Sequence, residues 1–100
     1  MKSGRWEPGD GEATEGGTVV RTEEMPYWSL ITLERDCHRG IPFAITCGIY
    51  NAMMHTVHRS TEAEAVATYE AMKLGLESLV DVDRDVFYDE LSAFVDRFPT

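Results

Sequence analysis

The hydrophobic pattern of the chain changes near residue 26, and the change predicts a tail followed by a domain. Residues 1–17 contain five glycines and a single large apolar side chain, Trp6. A segment of this kind cannot bury enough surface to offset its ordering entropy, so residues 1–25 are predicted to be a flexible, disordered tail. Residues 18–22 could add a short edge strand. Residues 26–100 are predicted to form one domain.

Three segments at the start of this domain have the composition of β-strands: residues 27–35, 42–49 and 52–58. Tyr50 and Asn51 are predicted to form a tight turn, because asparagine tolerates a positive φ. This turn would pair Cys47 with Met54. The face packed against the helices would then include these residues: Phe43, Ile45, Cys47, Ile49, Ala52 and Met54. The opposite face would include these: Ala44, Thr46, Gly48, Met53, His55 and Val57.

Two amphipathic helices follow the strands. Thr61 and Glu64 match a capping box, in which each side chain satisfies a backbone donor at the start of a helix. Asp83 or Asp85 is expected to cap the second helix, which should end near Phe98. The predicted fold class is therefore α+β: a three-stranded antiparallel meander packed on one face by two α-helices.

Charge is unevenly distributed along the chain, whose formal net charge is −9 at pH 7. Residues 60–100 contain three basic and ten acidic side chains, a net charge of −7. The phosphate backbone of nucleic acids and anionic membrane surfaces both repel such a protein, so neither is an expected partner. A protein with a basic surface is an allowed partner. The sequence contains neither a signal-like N-terminus nor an apolar stretch long enough to span a membrane, and a cytoplasmic location is expected.

Reactive side chains are few and do not form a known motif. Cys37 and Cys47 are expected to be free thiols, separated by the length of a strand. His55 and His58 are three residues apart on one strand and should point to opposite faces, which disfavours a shared metal ion. The sequence therefore gives no catalytic residue, no metal ligand and no cofactor, although it leaves a small enzyme open.

The function expected from these features is binding rather than catalysis, by a small acidic interaction module or inhibitor. The expected interaction face contains Tyr50, Met53, His55 and Val57, which would leave an uncharged sheet surface open to a protein partner. The short ordered chain and the unpaired strand edges predict a homodimer. The alternative is a small enzyme or ligand-binding domain with a pocket between sheet and helices, near His55, Tyr50 and Tyr69.

Overall fold

The computed structural model describes residues 6–100; residues 1–5 of the predicted tail lie outside the described part. An antiparallel sheet is followed by two helices, which confirms the α+β class with two helices on an antiparallel sheet. The strands are β1 (Glu7–Pro8), β2 (Thr18–Met25), β3 (Ser29–Arg35), β4 (Phe43–Ile49) and β5 (Met53–Arg59). The helices are α1 (Glu62–Leu79) and α2 (Phe87–Arg97). Neither helix combines the length and apolar composition that crossing a membrane requires.

Over residues 6–100 the sheet has five strands in the order β1-β2-β3-β4-β5, so the prediction of three strands was wrong. The two additional strands come from the segment predicted as a tail. β2 pairs with β3 from Thr18 to Met25 and with β1 at Glu23 and Glu24, so it is longer than the short edge strand predicted over residues 18–22. The acidic composition of β2 did not predict a packed strand. The structure accommodates it because Glu23 faces the helices, where its carboxylate accepts hydrogen bonds from Tyr69 and Lys73.

The predicted pairing of β4 with β5 was wrong by one residue. Ala52 donates its backbone N–H to Ile49 across the turn, and Asn51 has a φ of 62°, as the predicted turn requires. Ala52 is nevertheless an additional loop residue, and pairing begins at Ile49–Met53. A shift of one residue turns every β5 side chain to the other face. Val57 is consequently in the core, and Met54 is 72% exposed.

The core lies between one face of the sheet and the two helices. Thr61 caps α1 as predicted, with its hydroxyl accepting a hydrogen bond from the Glu64 amide at 3.2 Å. Phe94 of α2 packs over Gly75 of α1, where an added Cβ would lie only 2.7 Å from the Phe94 ring. The fully buried side chains of this layer include Ile31, Ile45, Val57, Tyr69, Met72, Leu76 and Phe94.

The second helix begins later than predicted. Residues Arg84–Val86 form a short 3-10 turn, and α2 starts at Phe87. The N-cap residues of the turn and of α2 are Asp83 and Val86, and neither makes a side-chain capping hydrogen bond. The expected capping role of Asp83 or Asp85 in α2 is therefore not what the structure shows.

The sheet face opposite the helices is partly covered by residues 9–17, here called the strap. The amides of Glu15 and Gly17 donate to the carboxylate of Glu34, which is fully buried. Closer to the middle of the sheet, the hydroxyls of Thr14 and Thr46 lie 3.4 Å apart. The strap thus lies across the sheet, whereas the flexibility predicted for residues 1–25 stays a prediction.

A row of threonines runs beneath the strap. Thr22, Thr32, Thr46 and Thr56 are successive cross-strand partners on β2 to β5. The hydroxyls of Thr22 and Thr32 lie 3.1 Å apart, and those of Thr46 and Thr56 lie 3.0 Å apart. Cross-strand threonine pairs stabilise a sheet, and here they also form a small, uncharged floor for the strap.

Candidate functional site

The residues of the predicted interaction face do not share an exposed surface. Val57 is fully buried, and Met53 packs against the core. His55 lies on the helix side of the sheet, where its Nε2 is 2.6 Å from the carbonyl oxygen of Phe98. Tyr50 alone among the four is strongly exposed, at 51%. This rearrangement follows directly from the one-residue shift in β5.

The pocket expected near His55, Tyr50 and Tyr69 is not formed by these residues. Tyr69 is fully buried, and its hydroxyl donates to Glu23 on β2. His55 lies on β5, at the opposite edge of the same sheet face. Burial alone would raise the pKa of Glu23, but hydrogen bonds from Tyr69 and Lys73 outweigh it and lower that pKa. Tyr69 therefore belongs to a buried polar network that joins β2 to α1.

Three tyrosines are exposed together at one end of the molecule, which we call the tyrosine end. Tyr27 lies in the β2–β3 turn, Tyr50 in the β4–β5 turn and Tyr88 in the first turn of α2. Their exposed fractions are 95%, 51% and 65%, whereas the fourth tyrosine of the chain, Tyr69, is in the core.

Contacts through Trp28 join the three elements of the tyrosine end. Its carbonyl accepts a hydrogen bond from the Tyr50 amide at 3.0 Å. Its indole meets the Phe87 ring edge-on, with ring centres 5.9 Å apart, and Phe87 in turn contacts Tyr88. The side chains of Trp28, Phe87 and Tyr88 also line a cleft of about 460 Å³. The three exposed tyrosine rings therefore project from two turns and a helix that contact one another through Trp28.

The backbone at Tyr27 is unusual. The Trp28 amide donates to the Met25 carbonyl, and Pro26 and Tyr27 occupy the two central positions of this turn. Tyr27 has a φ of 65°, a conformation in which a bulky side chain costs roughly 1–2 kcal/mol. Glycine or asparagine is the usual residue there, as Asn51 is in the β4–β5 turn. Because the Tyr27 side chain is almost fully exposed, packing within the protein does not explain its presence.

Exposed carboxylates lie close to Tyr88 along the chain. Asp81, Asp83, Asp85 and Asp89 are all exposed in the connection between the helices and the start of α2. Arg84 is the basic residue within this stretch. Because Asp83 makes no side-chain capping hydrogen bond, that role does not account for its carboxylate. The surface thus combines aromatic rings with negative charge.

Neither cysteine chemistry nor metal binding is indicated within residues 6–100. Cys37 and Cys47 are both free and both buried. Burial raises the pKa of the Cys47 thiol to about 12, and burial together with nearby carboxylates raises the pKa of Cys37. Across the same residues, no three histidine, cysteine or acidic side chains lie together as a metal site would need.

Comparisons of the chain with protein-family models, curated proteins and solved structures found no match. The functional proposal therefore depends on the geometry of the tyrosine end. The sequence had indicated Tyr50, but Tyr27 and Tyr88 were missed. The Pro26-Tyr27 pair, with proline favoured at the second position of a turn, was the available signal for an exposed aromatic residue.

Proposed function

We propose that this protein acts by binding another protein, with the tyrosine end as its contact surface. The observation that carries the proposal is Tyr27, an exposed aromatic side chain held at a positive φ. Unfavourable backbone conformations are concentrated at functional sites, because function can retain a residue that stability alone would replace. Binding, rather than catalysis, is what an exposed aromatic ring in a turn can do.

Tyrosine suits this role energetically. It offers a large contact area for the loss of only two side-chain torsions, and its hydroxyl can form a hydrogen bond at the rim of an interface. Tyrosine, tryptophan and arginine are enriched among the residues that contribute most to binding. Three tyrosines on connected elements could fill neighbouring pockets of one partner.

The charges around the tyrosine end favour a partner with a basic surface. Asp81, Asp83, Asp85 and Asp89 would attract such a partner over several ångströms and speed its approach. Salt should slow association, because it screens exposed charges beyond about 10 Å at 0.1 M. A module of this kind could serve as an inhibitor if its partner were an enzyme. The cytoplasmic location expected from the sequence is part of the same proposal.

The homodimer expected from the sequence remains part of this proposal, with the outer edge of β5 as the proposed contact. Within the described residues β5 pairs only with β4, which leaves its outer edge without a strand partner. Uncovered strand edges readily pair with other strands. β5 contains no acidic residue, so two copies could pair there with little repulsion from the excess negative charge elsewhere.

Quantitative affinity capture from a lysate of the native host tests the proposal. The bait variant would carry Tyr27→Ser, Tyr50→Ser and Tyr88→Ser, and the matched control would carry Leu74→Ser. Leu74 is 66% exposed on α1, so its replacement removes a similar exposed apolar side chain from another surface. We expect a protein captured by the wild type and by the control, but not by the triple variant. Equal capture by all three would contradict the proposal.

A further inference from the structure

A second concave surface lies on the sheet face opposite the helices, at the edge of the strap. It is a cavity of about 450 Å³, within the range of roughly 300–1,000 Å³ that is typical of small-molecule sites. Its floor lies where Leu30, Gly48 and Met54 are neighbours on three adjacent strands. Gly48 contributes no side chain between its two larger neighbours, and this absence gives the cavity its depth. A glycine inside a strand often marks a site where a ligand or another segment approaches the backbone closely.

The strap forms one wall of this cavity through Glu12 and Thr14. That wall is held in place from both sides: the Gly11 amide donates to the Thr22 hydroxyl, and the Glu15 amide donates to Glu34. Tyr50 and the exposed Met54 side chain lie on the β4–β5 side. The cavity therefore has walls of different chemistry, with polar groups from the strap and large apolar groups from the hairpin.

Charge restricts what such a cavity can bind. Glu12 is the charged residue of the lining; the other contributors are apolar or carry hydroxyl or amide groups. A carboxylate or phosphate would meet the Glu12 carboxylate with no basic side chain in the lining to offset the repulsion. An ammonium group would be attracted to Glu12 and could also lie against the Tyr50 ring. The apolar floor would accommodate a hydrocarbon or aromatic body.

We propose that this cavity binds a small organic cation, an amine with an apolar or aromatic body, with its ammonium group at Glu12 and its body over Gly48. The proposal is independent of the protein contact at the tyrosine end. The cavity and the proposed protein contact share only Tyr50. Failure of the protein to bind an amine would therefore not contradict the proposed function. Failure to bind a protein through the tyrosine end would likewise not contradict amine binding in the cavity.

The test uses three indole compounds that share a ring and differ in charge: tryptamine, the neutral alcohol tryptophol, and the anion indole-3-acetate. The full chain would be labelled at its methionine methyl groups and titrated by NMR. The exposed Met54 side chain lies at the cavity, whereas Met25 and Met72 are buried in the core and provide internal controls. We expect tryptamine to shift the Met54 methyl signal and to bind more tightly than the other two compounds.

Two variants locate the site. Glu12→Gln should weaken tryptamine binding about threefold, as loss of an exposed ion pair does, and Glu7→Gln on β1 should leave it unchanged. Gly48→Val should weaken binding of all three compounds about tenfold or more by filling the floor. If Gly48→Val does not fold, Met54→Lys at the exposed rim replaces it and should abolish tryptamine binding. Absence of methyl shifts with tryptamine, or equal affinity for indole-3-acetate, would overturn the proposal.

Discussion

Replacing Gly75 by alanine gives opposite predictions from helix propensity and from packing. Gly75 is inside α1, where glycine costs about 1 kcal/mol relative to alanine. Propensity alone therefore predicts that Gly75→Ala stabilises the protein by about that amount. The structure predicts the reverse sign, because Phe94 of α2 occupies the space that the new methyl group would need.

The size of the clash follows from two distances. The added Cβ would lie 2.7 and 2.8 Å from two carbons of the Phe94 ring. These separations are roughly 0.7 Å shorter than a favourable carbon–carbon contact. Phe94 is fully buried and has little room to move, so overpacking should cost about 1–3 kcal/mol. After the propensity gain of about 1 kcal/mol is subtracted, we expect a net loss of up to about 2 kcal/mol, which is smallest if α2 shifts.

Urea unfolding followed by circular dichroism measures this change, with two controls. Ala71→Gly, at an exposed position of α1, calibrates the propensity term and should cost about 1 kcal/mol. The double variant Gly75→Ala/Phe94→Leu should lose less stability than the sum of the two single variants, because the effects of substitutions at contacting residues are not additive. Stabilisation by Gly75→Ala of about 1 kcal/mol would show that α2 does not pack over α1 as described.

Three further outcomes follow from the structure. Tyr27→Gly should raise the free energy of unfolding by about 0.5–1 kcal/mol, because glycine adopts the positive φ without strain, and it should also weaken partner binding. Asn51→Gly is the control and should change stability less, whereas a loss of stability in Tyr27→Gly would contradict the strained turn. Both Cys37 and Cys47 should react slowly with a thiol reagent at pH 7, since both are buried with raised pKa values; rapid labelling of Cys37 would show that its loop opens. Light scattering over a concentration series should show a dimer, and a monomer mass at several hundred micromolar would remove pairing through β5.

The helices were the part of the fold that local sequence specified best. Thr61 and Glu64 identified the start of α1, since a capping hydroxyl acts on amides only three residues away. The register of β5 was harder, because a turn of Tyr50 and Asn51 can be followed directly by pairing or by one more loop residue. Ala52 is that additional residue, and its presence decides which β5 side chains reach the core.

The strap and β2 could not be predicted from their composition. Their positions depend on long-range hydrogen bonds: Glu34 accepts from Glu15 and Gly17, and Glu23 accepts from Tyr69 and Lys73. A carboxylate that is satisfied by distant donors looks like a solvent-exposed acid in the sequence.

The tyrosine end was only partly accessible from the sequence. Tyr50 was identified because it lies in a recognisable turn. The proximity of Tyr27 and Tyr88 depends on how α2 packs beside the β2–β3 turn, through the contact between Trp28 and Phe87. No local pattern reports such a contact between elements almost 60 residues apart.

Fluorine NMR of protein labelled with 3-fluorotyrosine tests the contact surface most directly. The chain has four tyrosines, three at the tyrosine end and Tyr69 in the core, so the spectrum contains its own control. Adding the captured partner should shift or broaden the signals of Tyr27, Tyr50 and Tyr88 and leave Tyr69 close to its original position. A complex that forms while the three exposed tyrosines keep their original signals would contradict binding through the tyrosine end.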